Sequence, residues 1–206
     1  MTKKAPTWLS LLVVAAALAA AAGTGASPRP LDLIRDTVEA VLETLRAGST
    51  DPDQKRERIR SIVRGRFSFR IISQRTLGKH WKTAGKAQRE RFVELFSRLL
   101  EATYLSRVEN YSDETVLYRG ERIRGKRARV DTAILGKTGE IPVEYRMVVV
   151  GGDWQVYDVV IEGVSLVSNY RTTYDEIIRR EGMEGLLARM EEKVAQIERG
   201  GPSGED

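Results

Sequence analysis

Apolar residues recur at three- and four-residue steps through the first half of the chain and at every second residue further on. The first spacing is helical and the second belongs to strands. Leu31, Ile34, Val38, Val41, Leu42 and Leu45 mark one face of a helix that opens at Pro30 and stops by Gly48. Proline suits a first helical turn, where its missing N–H costs nothing. A second helix is expected from Pro52, capped by Asp51, with Ile59, Ile62 and Val63 turned inward. Phe67, Ile71 and Ile72 predict a short helical piece ended by Gly78, and the longest helix runs roughly from Gly85 to Val108. Its stripe of Phe92, Leu95, Phe96, Leu99, Leu100, Thr103 and Tyr104 is wide and rich in aromatics, while Arg89, Arg91, Glu94 and Arg98 face out.

Four strands follow, at Thr115–Arg119, Arg127–Leu135, Ile141–Val150 and Trp154–Ile161. Gly136-Lys137-Thr138-Gly139 and Gly151-Gly152-Asp153 read as hairpin turns. Pairing Leu135 with Glu140 puts Val130, Thr132, Ile134, Ile141, Val143, Tyr145, Met147 and Val149 on one face. Arg129, Asp131, Glu144 and Arg146 fall on the other, so the first face is the buried one. The last hairpin has two readings. A two-residue turn puts Trp154, Val156, Asp158 and Val160 inside. A three-residue turn puts Tyr157, Val159 and Ile161 inside and sets Asp158 opposite Arg146. The second is preferred, because a buried carboxylate without a partner is costly. Two amphipathic helices, Ser168–Glu181 and Glu184–Arg199, close the chain with a break at Gly182.

The expected fold is therefore α+β: N-terminal helices, a four-stranded antiparallel sheet and C-terminal helices in one domain over 27–200, followed by a polar tail, 201–206. The covered sheet face is either a solid core or a hydrophobic pocket.

Residues 1–26 read as a cleaved signal peptide. Lys3 and Lys4 precede an apolar run from Trp8 to Ala22, and small residues follow from Gly23 to Ala26. The run is shorter than the ~20 residues of a membrane span. With no cysteine after it, lipid tethering through Cys, disulfides and thiolate chemistry are all excluded, and a periplasmic home is expected. Removing Lys3 and Lys4 from 34 basic residues leaves 32 against 29 acidic, a net +3. The basic residues, as in Lys55-Arg56-Glu57-Arg58, alternate with acids, so nucleic acid is not an expected partner; the run Arg122 to Arg129 suits an anionic membrane surface or an acidic partner.

Catalytic chemistry is sparse. His80 is the one histidine and sits beside Trp81, a position typical of structural histidines. Ser165 lacks the second glycine of a nucleophile elbow and no histidine follows it, so capping is the expected role. Asp158 and Glu162 form the carboxylate pair worth weighing, without a partner set. Neither a phosphate-binding glycine loop nor a metal-ligand cluster is present, so no catalytic residue, metal or cofactor is assigned.

Trp154, Tyr157, Asp158, Glu162-Gly163-Val164-Ser165 and Tyr170-Arg171 form a strand, an elbow and a helix start. With Trp81, Gln88-Arg89, Phe92, Phe96 and Tyr104 upstream and the strand Pro142 to Tyr145, the chain resembles the MlaC/toluene-tolerance family of periplasmic phospholipid-binding proteins. The resemblance implies helices over a four-stranded antiparallel sheet, enclosing a pocket for acyl chains with the phosphate near solvent. It implies a monomeric carrier of phospholipid between an outer-membrane lipoprotein complex and an inner-membrane MCE-domain ABC transporter, with the lipid as cargo. The candidate lining is Val130, Thr132, Ile134, Val143, Tyr145, Met147, Tyr157 and Val159 from the sheet, with Phe92, Phe96, Leu99 and Tyr104 from the long helix. Ordinary core packing is the alternative for each. Arg171 is expected in a structural ion pair or near the phosphate. The competing functions are a small α+β enzyme using Asp158 or His80 on a hydrophobic substrate, and a ligand-free adaptor with a solid core.

Overall fold

The computed structural model describes residues 28–47, 51–109, 115–136 and 139–199. The expected leader, the helix stop at Gly48, the turn residues Lys137 and Thr138 and the polar tail lie outside these. Helices α1 (Pro30–Arg46), α2 (Pro52–Arg66), α3 (Phe69–Leu77), α4 (His80–Thr83) and α5 (Lys86–Glu109) come first. Strands β1 (Thr115–Arg124), β2 (Arg127–Gly136), β3 (Gly139–Val150), β4 (Asp153–Ile161) and β5 (Val164–Ser165) follow, and α6 (Leu166–Glu198) closes the described fold. The α+β class and antiparallel order are as expected, with one more strand. That strand is the short β5, turned back on β4 at Glu162 and Gly163, whose φ values of 51° and 84° make the tight turn. The sequence of α2 is strongly polar, and its start is fixed by Asp51, whose carboxylate accepts from the Asp53 and Gln54 N–H groups at 2.9 and 3.4 Å. The expected break at Gly182 is a kink within α6, at φ 75° and ψ −179°, a conformation that only glycine adopts without strain.

Leu135 pairs with Glu140, as the alternation predicted. The last hairpin corrects the preferred reading. Its turn has two residues, Gly151 and Gly152, between Val150 and Asp153. Met147 then faces Val156, a β-bulge follows, and beyond it Arg146 faces Asp158 and Tyr145 faces Val159. The extra residue is Tyr157. A bulge lets one strand bury Trp154 and Val156 near the turn and still set Asp158 against its arginine further on. Each of the two simple registers was thus right for half of the strand.

Two apolar clusters form. Leu33 and Ile34 of α1 pack with Ala128, Val130, Met147, Trp154 and Val156 on the inner face of the sheet. Helices α3, α5 and α6 build the other around Phe92, Phe96, Tyr170 and Tyr174, with edge-on rings such as Phe96 and Tyr170 at 5.1 Å. Phe67 packs against both clusters, and the Ser68 N–H donates to the Val156 carbonyl at 2.9 Å, tying α3 to the free side of β4.

Candidate functional site

The strand registers define the inner face rung by rung. Val149 and Trp154 share the rung nearest the β3–β4 turn, and Ala128, Met147 and Val156 the one beside it. Val130, Tyr145 and Val159 share the next, and Tyr118, Thr132, Val143 and Ile161 the one after, with Val116, Ile134 and Ile141 last. Burial is uneven along this series. Val130, Met147 and Val156 are fully buried beneath α1, whereas Tyr118, Ile134, Tyr145, Val159 and Ile161 keep accessible surface. Thr132 is buried, with its hydroxyl donating to the Val143 carbonyl at 3.0 Å, so the rung it shares shows no free polar atom from that side chain. The result is a half-buried apolar strip on the half of the inner face remote from the β3–β4 turn.

The polar groups still to place on these rungs are two tyrosines and Glu121, which pairs with Val130 and whose carboxylate accepts from Arg29 Nε and from the Leu31 N–H, each at 2.7 Å. Burial pushes the Tyr145 phenol up to about 12, with Tyr118 adding to the shift. The Tyr145 side chain nevertheless keeps accessible surface. It packs partly buried against the cluster under α1. The Arg35 guanidinium of α1 lies over the Tyr118 ring, 4.9 Å from its centre.

Of the sheet residues expected to line a pocket, Val130 and Met147 are packed in the cluster under α1, and Thr132 and Val143 are buried. Ile134, Tyr145 and Val159 lie on the strip. Tyr157 does not join them: as the bulge residue, it lies beneath the Arg75 guanidinium of α3 at 4.0 Å. Phe92, Phe96 and Leu99 are buried in the helical cluster, and Tyr104 packs partly buried against it. Tyr118, Val116 and Arg35 were missed. Alternation through Val116 and Tyr118 was the available signal for the first two; for Arg35 nothing in the sequence gave one. Two surface concavities, of about 360 Å³ beside Leu33, Arg66 and Trp154 and about 400 Å³ beside Ile71, Arg75 and Val148, are lined by none of the twelve expected residues.

The outer face is a charge ladder. Arg122, Arg129 and Arg146 alternate with Asp131, Glu144 and Asp158, each arginine within 3.5 Å of a carboxylate oxygen. At its end Asp158 is 4% exposed and fully used. Its Oδ2 accepts from Arg146 Nη1 at 3.0 Å and from the Ser165 hydroxyl at 2.7 Å, and its Oδ1 accepts from the Val167 N–H at 3.1 Å. Ser165 Oγ in turn accepts from the Ser168 N–H at 3.1 Å, capping α6 as expected. The elbow is therefore a structural joint between sheet and helix. His80 lies 2.7 Å from Asp175 of α6, whose carboxyl is held down to about 2 by hydrogen bonds from Lys79 and His80. Arg171 makes no ion pair among the described residues and donates through Nε to the Arg75 carbonyl at 2.8 Å, closing the end of α3.

These features define an α+β domain in which helices pack against an antiparallel sheet and leave a half-buried apolar strip. The MlaC protein family matches residues 35–192, and this chain belongs to that family. The intermembrane phospholipid transport system binding protein MlaC of Haemophilus influenzae is 24% identical over 181 residues, covering 83% of this chain and 85% of the relative. Toluene tolerance protein ttg2D of Pseudomonas putida is 26% identical over 166 residues, 77% of each chain. A solved phospholipid-binding protein from Ralstonia solanacearum, in complex with a phospholipid, matches with a TM-score of 0.75 at 25% identity, covering 83% of this chain and 99% of the other.

Proposed function

We propose that this protein is a soluble periplasmic carrier that moves phospholipid between two membranes without altering it. The observation that carries the reading is the half-buried apolar strip of Ile134, Tyr145 and Val159, in a chain whose relatives bear phospholipid-binding and intermembrane transport names. Each acyl methylene removed from water contributes ~0.8 kcal/mol, so chains laid against this strip are held without covalent chemistry. Among the described residues, no helix is long and apolar enough to cross a membrane, and no group of three or more His, Cys, Asp or Glu side chains could hold a metal. Asp158, Ser165 and His80 are engaged in joining elements of the fold, which weighs against the enzyme reading.

Delivery needs partners that offer the acyl chains an equal or better path. An inner-membrane MCE-domain transporter and an outer-membrane lipoprotein complex are the partners we assign. Arg124, Lys126 and Arg127 at the β1–β2 turn are exposed and make no ion pair among the described residues, which suits an acidic partner surface.

The test is transfer between vesicles. Mature protein mixed with donor vesicles of labelled phospholipid and unlabelled acceptors is expected to speed label transfer in proportion to protein concentration, with every lipid recovered intact. Hydrolysed or remodelled lipid would favour the enzyme reading, and no transfer and no uptake would favour the adaptor.

A further inference from the structure

The Tyr145 hydroxyl has no role in the fold. Among the described residues it makes no hydrogen bond, and its side chain keeps accessible surface on the inner face of the sheet. Packed partly buried against the apolar cluster under α1 with its hydroxyl unused, it is open to an acceptor brought by a ligand. Nearby polar groups point the same way. Thr132, on the neighbouring rung, has already given its hydroxyl proton to the Val143 carbonyl. Tyr118, close enough to raise the Tyr145 phenol further, carries Arg35 over its ring, and Arg35 lies 3.5 Å from Asp32, a half-exposed carboxylate. Glu121, on the rung of Tyr145, is committed to Arg29 and to the Leu31 N–H. The inner face thus has apolar rungs, one unused neutral donor among them, and a half-exposed cation beside it.

That sequence of groups matches the polarity profile of a diacyl glycerophospholipid: apolar chains, then uncharged ester carbonyls, then a charged phosphate. We propose that the Tyr145 hydroxyl donates a hydrogen bond to a glycerol ester carbonyl of the bound lipid and so fixes how deeply the acyl chains sit. The assignment rests on the carrier reading and adds the class of acceptor. The ester is the better partner than the phosphate, because taking a phosphate charge into this enclosure is far more costly than taking in a neutral carbonyl. The phenol stays protonated at any physiological pH, so it is always a donor. The phosphate emerges on the side of Arg35, which keeps access to water.

The experiment compares two lipids and two proteins. Wild type and Tyr145→Phe are titrated with a diacyl phosphatidylethanolamine and with its dialkyl ether analogue, which lacks both carbonyls, and the unfolding of each lipid-free protein is recorded. One hydrogen bond of ordinary strength corresponds to about a tenfold change in affinity. Wild type is expected to prefer the diacyl lipid about tenfold, and Tyr145→Phe to lose that preference while binding the ether lipid as wild type does. Lipid-free Tyr145→Phe is expected to unfold no more readily than wild type. A preference that survives in Tyr145→Phe, an equal loss for both lipids, or a destabilised lipid-free variant overturns the proposal and leaves the carrier reading standing. Wild type that takes up neither lipid overturns the carrier reading, and the role of the hydroxyl with it.

Discussion

Replacing Asp158 with alanine is expected to destabilise the protein by about 3 kcal/mol, the scale of removing one partner from a buried, hydrogen-bonded charge. Three donors lose their acceptor at once: the Arg146 guanidinium, the Ser165 hydroxyl and the Val167 N–H. The last is the most serious, because Val167 is buried and its N–H belongs to the first turn of α6, which has no intrahelical acceptor for it. Ser165→Ala removes only the cap and the bond to Asp158, so about 1 kcal/mol is expected there. Urea denaturation of the two variants against wild type measures both. A loss below about 1 kcal/mol for Asp158→Ala would mean that the joint tolerates an empty acceptor, against the usual cost of an unpaired buried donor. The same arithmetic explains why a lone carboxylate among apolar residues looked like a catalytic candidate in the sequence. Its partners come from β3, from β5 and from the start of α6, and only the bulge at Tyr157 brings it opposite Arg146.

Val159→Trp is expected to lower phospholipid occupancy more than tenfold while the protein stays folded. Val159 faces Tyr145 and keeps accessible surface, so an indole there enters space that acyl chain would otherwise fill. Displacing only two methylenes costs ~1.6 kcal/mol, already more than a factor of ten. Met147→Trp is the informative contrast. Met147 is fully buried beneath α1, and overpacking a filled position costs about 1–3 kcal/mol of stability. Lipid extraction and thermal unfolding, run side by side, separate the two effects. Full occupancy in folded Val159→Trp would place the acyl chains elsewhere than on this strip.

What the sequence disclosed and withheld follows from the reach of each signal. Alternation in β2 and β3 set the register at Leu135 and Glu140, because one slipped residue would have moved Arg129 and Arg146 to the apolar face. Gly182 and Asp51 are local signals and were legible as such. A bulge has no comparable signature, so the β4 register was read as one choice when it is two. The aromatic stripe of α5 was correctly seen as buried. Periodicity says which face of a helix is covered but not what covers it, and Phe92 and Phe96 meet Tyr170 and Tyr174 of α6. The candidate strip was visible through Ile134, Tyr145 and Val159. Arg35 was hidden because its place over Tyr118 depends on how α1 crosses β1, some eighty residues away in sequence.

Native mass spectrometry of the mature protein purified from a periplasm, with organic extraction and lipid analysis of the same sample, tests the central claim most directly. The account predicts a mass raised by one stoichiometric phospholipid, recovered intact. A ligand-free mass that stays unchanged after incubation with phospholipid vesicles would contradict it.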